Sequence, residues 1–126
     1  MKTPDPIQVC YQTAKNYPDL VLKLIDIGVQ SYTVDVASGT ILYRFAEGKT
    51  TLHAGKLSPR IISVAFDEAA TIQAIRANQQ GQTDYPGFMK DIALAGVRFY
   101  EATLTGANKR VTYIGIGGFY EERIPV

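Results

Sequence analysis

Two similar segments of the chain form an internal repeat, and this repeat constrains the fold more than any other feature. YPDLVLKLIDIGVQSYTVDVASGTILYRF begins at residue 17, and YPGFMKDIALAGVRFYEATLTGANKRVTYIG begins at residue 85. A Tyr-Pro pair, a Gly-Val pair and a later tyrosine recur at one constant offset, and the second segment is two residues longer past its turn. Self-similarity of this kind predicts two equivalent structural units.

Each segment predicts a helix followed by a β-hairpin. Pro18 and Pro86 suit a first helical turn, because proline fixes φ and lacks the amide hydrogen that would go unpaired there. Apolar residues then follow helical spacing as far as Gly28 and Gly96, where glycine readily adopts the left-handed conformation that ends a helix. The strands that follow alternate, which predicts a buried face with these residues: Tyr32, Val34, Val36, Tyr100, Ala102 and Leu104.

Further elements complete each half. A helix over residues 7–15 precedes the first Tyr-Pro pair, and Asp67 can cap a helix that ends near Gly81 before the second pair. Returning strands and third strands near 50–53 and 119–124 would close each meander. The connection over 55–64 contains Ser58-Pro59 and is expected to end in a short strand at Ile61-Ile62.

These elements predict an α+β protein with an internal duplication of a helix-helix-three-strand meander unit, its antiparallel sheet packed on helices. We expect a single domain over 1–126, with repeats at approximately 6–54 and 67–125. Because small meanders are marginal alone, we expect the two to join about a pseudo-twofold axis, with four helices on the buried side.

Charge and hydropathy argue against two classes of partner. Thirteen basic and twelve acidic residues are spread along the chain with no cluster longer than Lys109-Arg110, so nucleic acid is not an expected partner. The longest apolar stretch, Leu20 to Val29, is far shorter than a membrane span. Cys10 is the only cysteine, and residues 1–6 do not resemble a secretory signal, so a cytoplasmic location is expected.

Catalytic and metal chemistry finds little support in the residues. His53 is the only histidine, so no metal site or cofactor is expected, and it is predicted to be a half-exposed residue near a strand end. Cys10 lacks the surroundings of a thiol enzyme and is expected in the core. The glycines from Gly115 to Gly118 lack a Walker lysine and a following helix, which favours a hairpin turn.

A crevice between the two halves is the candidate ligand site. Arg98 replaces the neutral Gln30 of the first half and is expected on the same strand face as Tyr100, where it could hold an anion or form a salt bridge to Glu101 or Asp91. Tyrosine combines a large ring with a hydroxyl that forms hydrogen bonds. The candidate binding residues are Arg98, Tyr100, Tyr113, His53, Tyr32 and Tyr43.

The second half resembles a bacterial family of unknown function whose members often carry the label "phage envelope protein". The resemblance rests on the helix end from Ala93 to Val97, the aromatic pair Phe99-Tyr100 and the VTYIGIGG hairpin. It implies a compact α+β domain in bacteria, sometimes encoded near prophage genes. It supplies no activity, cofactor or site residue.

The leading functional hypothesis is a non-enzymatic binding or protein-interaction module, because no nucleophile, acid-base pair or metal set stands out. A homodimer is expected through the unpaired outer strands, with Phe99 adding apolar contact area. The alternative is a small anionic metabolite-binding protein or enzyme that uses the crevice between the repeats. A phage-encoded inhibitor of a host protein is a third hypothesis.

Overall fold

The computed structural model describes residues 5–55 and 60–124. Within them the chain forms four α-helices, six strands and a single 3-10 turn at Ala46–Gly48. The elements are α1 (Pro6–Thr13), α2 (Tyr17–Asp26), β1 (Val29–Asp35), β2 (Ile41–Phe45), β3 (Thr50–His53), α3 (Glu68–Gln79), α4 (Tyr85–Leu94), β4 (Val97–Thr103), β5 (Arg110–Gly115) and β6 (Gly118–Arg123). The predicted α+β class is confirmed, and both halves have the same element order.

The helices α2 and α4 have proline in the first turn and glycine past the end, as the sequence predicts, whereas α1 ends at Thr13, before the predicted residue 15. The Asn16 side chain accepts a hydrogen bond from the Asp19 amide at the start of α2, and Asp67 and Asp84 cap α3 and α4 in the same way. Gly28 and Gly96 follow α2 and α4 with φ of 98° and 87°. These left-handed residues turn each helix directly into a strand.

All six strands form one antiparallel sheet in the order β3-β2-β1-β4-β5-β6. The two meanders meet at the centre through β1 and β4. There Thr33 pairs with Glu101, its own equivalent in the other half, and Tyr32 pairs with Ala102 as Val34 pairs with Tyr100. This register is what a twofold axis between Thr33 and Glu101 produces.

One face of the sheet is buried beneath the helices. The core joins side chains from all four helices to the inward residues of the strands, with the largest fully buried ones being Tyr43, Leu24, Met89, Ile92 and Leu104. The predicted alternation is confirmed, because the six inward residues of β1, β4 and the segments that follow them are all buried. Thr33, Asp35, Phe99 and Glu101 lie on the opposite face and keep contact with solvent.

The connection between the halves contains no strand at Ile61-Ile62, so that prediction is wrong. The backbone amides of Arg60, Ser63 and Asp67 donate to the carbonyls of Ala37, Ala93 and Ala95, which lie in a turn and at a helix end rather than on a sheet edge. Ile61 is 91% exposed. The Ser58-Pro59 pair lies outside the described residues. Among the described helices, none is both long and apolar enough to cross a bilayer.

Candidate functional site

A cavity of about 140 Å³ lies between the helices and the buried face of the sheet, where the two halves meet. Six tyrosines contribute to its walls, three from each half. They are Tyr11, Tyr17, Tyr32, Tyr85, Tyr100 and Tyr113. The remaining walls are mostly apolar, with Leu20, Val34, Phe88 and Val111 among them, and polar groups come from α3 and β6.

The repeat explains why tyrosines of both halves converge on this cavity. Tyr17 and Tyr85 are the first residues of α2 and α4, each directly before the proline that sets the first turn. Tyr32 and Tyr100 point inward from β1 and β4, which are paired at the centre of the sheet. Equivalent positions of the two halves meet at the centre of the sheet. The tyrosine at the start of the helix and the tyrosine on the following strand therefore line the cavity from both halves.

Hydrogen bonds between tyrosine hydroxyls involve three of the six cavity tyrosines, Tyr11, Tyr17 and Tyr32, at distances of 3.0 Å or less. The hydroxyls of Tyr17 and Tyr32 lie 2.7 Å apart, and Tyr43 donates to Tyr11 at 3.0 Å. The hydroxyls of Tyr85 and Tyr100 act on each other's pKa through a side-chain hydrogen bond, whereas the Tyr113 hydroxyl has no hydrogen-bond partner among the residues that the structure describes.

The tyrosine side chains are neutral at physiological pH. Burial raises the pKa of Tyr11 to about 12 and holds the pKa values of Tyr17, Tyr32, Tyr100 and Tyr113 well above the ordinary value, because a phenolate loses its hydration in this interior. The cavity walls therefore offer phenol groups that donate and accept hydrogen bonds but carry no charge.

Charged groups occur only where α3 and β6 meet, as far as the described lining is concerned. Glu122 accepts hydrogen bonds from Arg76 at 2.8 Å and from the Tyr120 hydroxyl at 3.0 Å. Arg123 is exposed to solvent, and Asn78 and Gln79 complete this polar rim. The negative charge of Glu122 is thus held by Arg76 at the edge of the cavity.

The structure brings together only part of the predicted ligand site. Tyr32, Tyr100 and Tyr113 line the cavity. Tyr43 is buried behind Tyr11, and its ring meets the edge of His53 with centroids 5.1 Å apart, but neither Tyr43 nor His53 lines the cavity. The Nε2 atom of His53 instead lies 3.0 Å from Asp5 Oδ2.

Arg98 is exposed and lies outside the cavity lining, which corrects its expected position on the face of Tyr100. The register of β4 shifts between Val97 and Phe99, so two exposed residues separate the buried Val97 from the buried Tyr100. This bulge turns Arg98 outward. No ion pair joins Arg98 to Glu101 or Asp91, although all three residues are described.

Sequence reasoning missed three of the six cavity tyrosines, Tyr11, Tyr17 and Tyr85, as well as the aliphatic and polar residues of the wall. The recurrence of tyrosine before proline at the start of α2 and α4 was a usable signal for two of them. Tyr11 carried no such signal, because the equivalent residue of the other half is Gln79.

The structure describes the thiol, the glycine-rich segment and the acidic residues that the sequence analysis considered for chemistry. Cys10 is 5% exposed, and burial raises the pKa of its thiol. Gly115 pairs with Gly118 across a two-residue turn between β5 and β6, as predicted. No group of three or more His, Cys, Asp or Glu side chains is placed to hold a metal ion among residues 5–55 and 60–124.

A family model matches most of the chain. The model of a family described as "Protein of unknown function (DUF1398)" matches residues 8–118, which includes all six cavity tyrosines. No curated protein matches the chain.

Proposed function

The chain belongs to the DUF1398 family of proteins of unknown function, and we propose that it is a non-enzymatic protein that binds a small neutral molecule between its two halves. The observation that carries this proposal is the tyrosine-lined cavity of about 140 Å³ at the twofold axis. A concave apolar site with a few convergent polar groups is the usual form of a small-molecule site.

The cavity volume sets the size of the ligand. An engineered protein cavity of about 150 Å³ binds one benzene molecule. The cavity here, about 140 Å³, therefore suits a single six-membered ring with a small substituent. Aromatic walls also favour a ring, since offset and edge-on contacts between aromatic groups contribute about 0.5–1.5 kcal/mol beyond buried area.

The charges at the cavity favour a neutral ligand over an anion. The tyrosines are uncharged, and the Glu122 carboxylate lies at the rim and would repel an anion. Arg123, the cation in the described lining, is exposed, so water would screen and weaken its attraction for an anion. The anionic metabolite of the sequence-based alternative thus becomes the comparison compound for the experiment.

The proposal predicts stabilisation by ring-sized neutral compounds. Phenol, benzyl alcohol, benzamide and toluene should raise the unfolding temperature, and benzoate should raise it less at the same concentration. A ligand at a hundred times its Kd adds about 2.7 kcal/mol to the free energy of unfolding. Thermal unfolding followed by circular dichroism measures this shift.

Two variants of β5 provide the control. Val111→Phe adds a ring inside the cavity and should abolish the stabilisation, whereas Thr112→Phe adds the same ring on the outer face and should retain it. Val111→Leu, a smaller change, covers the case in which Val111→Phe fails to fold. Equal stabilisation of wild type and both Val111 variants would refute the site, and silence across the neutral compounds would refute the proposed function.

Other expectations from the sequence are independent of this proposal. Homodimerisation through the outer strands, a bacterial and phage-related setting and a cytoplasmic location stay predictions. A protein-interaction role and inhibition of a host protein also stay predictions, and the ligand experiment does not depend on them.

A further inference from the structure

Tyr43 and Tyr113 occupy equivalent positions on β2 and β5, but their surroundings differ. The Tyr43 hydroxyl donates to Tyr11 at 3.0 Å, and its ring packs against His53, which is itself held by Asp5. The hydrogen-bonding capacity of Tyr43 is therefore used within the first half. The Tyr43 hydroxyl is thus already bonded and is not available to a ligand.

The second half lacks the group that would satisfy Tyr113. Gln79 takes the place of Tyr11, at the same offset that relates Tyr17 to Tyr85. The Gln79 side chain is turned towards Arg76, from which its Oε1 atom accepts a hydrogen bond at 3.0 Å. Within the described chain no group replaces the missing Tyr11 as partner for the Tyr113 hydroxyl.

Tyr113 is part of the cavity wall, and its hydroxyl is not fully enclosed by protein. The residue is 6% exposed and lines the cavity wall. In the described residues, every fully buried side-chain nitrogen or oxygen atom has a hydrogen-bond partner, so an unpaired hydroxyl must border open space.

We propose that the Tyr113 hydroxyl is the polar anchor of the cavity and donates a hydrogen bond to an uncharged, single-ring aromatic ligand that carries one exocyclic acceptor oxygen. This inference rests on the proposed function and adds the ligand's orientation and chemical class. The acceptor end lies towards Tyr113 and the α3–β6 rim, and the ring lies among the tyrosines and aliphatic side chains of both halves. Burial raises the pKa of Tyr113 most, and the nearby Glu122 carboxylate adds to it, so the protonated, donating form is favoured.

Paired variants and paired probes test the anchor. Benzamide carries an acceptor oxygen, and toluene has a similar ring without one. Tyr113→Phe should weaken benzamide binding about tenfold, the factor that corresponds to about 1.4 kcal/mol, and leave toluene binding unchanged. Tyr43→Phe is the matched control and should leave both affinities within about twofold, since its hydroxyl serves Tyr11. Titration calorimetry gives the four affinities.

The outcomes separate the anchor from the proposed function. If both probes bind wild type and Tyr113→Phe changes neither affinity, the anchor is wrong and the ligand-binding function stands. If neither probe binds wild type, the proposed function itself is wrong. Tyr113→Phe removes one oxygen that bonds to no described group, so its unfolding temperature should match that of wild type, which establishes that the variant is folded.

Discussion

Tyrosine at the cavity wall combines an apolar ring with a hydroxyl that cannot remain unpaired without cost. The pairs Tyr17 with Tyr32 and Tyr43 with Tyr11 solve this problem within the protein. Phenylalanine would fill the same space without needing a partner, so the hydroxyls confer hydrogen-bonding specificity. At Tyr113 the hydroxyl has no described partner, so it is free to form a hydrogen bond with a ligand.

The buried tyrosines predict a loss of stability in alkali. Burial raises the folded-state pKa of all eight tyrosines, whereas the unfolded chain titrates near pH 10. The unfolded state therefore loses protons first, so their contribution to the free energy of unfolding is complete below about pH 10 and is lost as the pH rises towards and through the folded values. Urea unfolding from about pH 8 to about pH 12 measures the decline.

Phenolate absorbance, recorded in the same samples, checks the cause. We expect most phenolate to appear together with unfolding. Titration of the cavity tyrosines near about pH 10 in a protein that is still folded would contradict their burial.

At the scale of elements, helix ends decide where each strand begins. Gly28 and Gly96 have the same role after α2 and α4, but their surroundings differ. A Cβ atom on Gly28 would lie 3.7 Å from the Phe45 ring, an ordinary contact. One on Gly96 would lie 2.8 Å from the Ala65 carbonyl carbon and 2.9 Å from the Phe66 Cα, where the connection between the halves passes.

This difference predicts unequal effects of one substitution. Gly28→Ala should lower the free energy of unfolding by about 1–2 kcal/mol, the cost of a left-handed alanine. Gly96→Ala should lower it by at least about 3 kcal/mol, because the connecting backbone must also move. Urea unfolding of both variants measures the difference, and equal losses would show that the connection does not pack on Gly96 as described.

Local signals in the sequence were sufficient for these elements. Three local signals predict the conformation of their own segments. They are proline in the first helical turn, glycine after the last turn, and strict alternation of apolar and polar residues in the strands. The missed strand at Ile61-Ile62 shows the limit. The backbone amides that hold this segment belong to Arg60, Ser63 and Asp67, and they bond to carbonyls in a turn and at a helix end rather than to a strand. The outward position of Arg98 was not predicted, because the β-bulge between Val97 and Phe99 changes which residues face inward and no residue pattern in the sequence indicates it.

At the scale of the whole molecule, the site exists only because the two halves join. The β1–β4 pairing places Tyr32 opposite Ala102 and Tyr100 opposite Val34, so that both tyrosines line the cavity from adjacent strands. The sequence indicated a tyrosine-lined crevice between repeats, but the participation of Tyr11 and the exclusion of His53 depend on helix packing across sequence-distant segments. No local pattern contains that information.

The most direct measurement is a titration with benzamide followed by nuclear magnetic resonance of ring-labelled tyrosines. Tyr32, Tyr100 and Tyr113 line the cavity, whereas Tyr120 does not and touches this site through Tyr113 and Glu122, so its signal should respond less than theirs. The account predicts saturable shifts for the three cavity tyrosines, largest for Tyr113, with Tyr120 changing least. Shifts centred on Tyr120, or no shifts at the highest soluble concentration, would contradict a ligand site between the two halves.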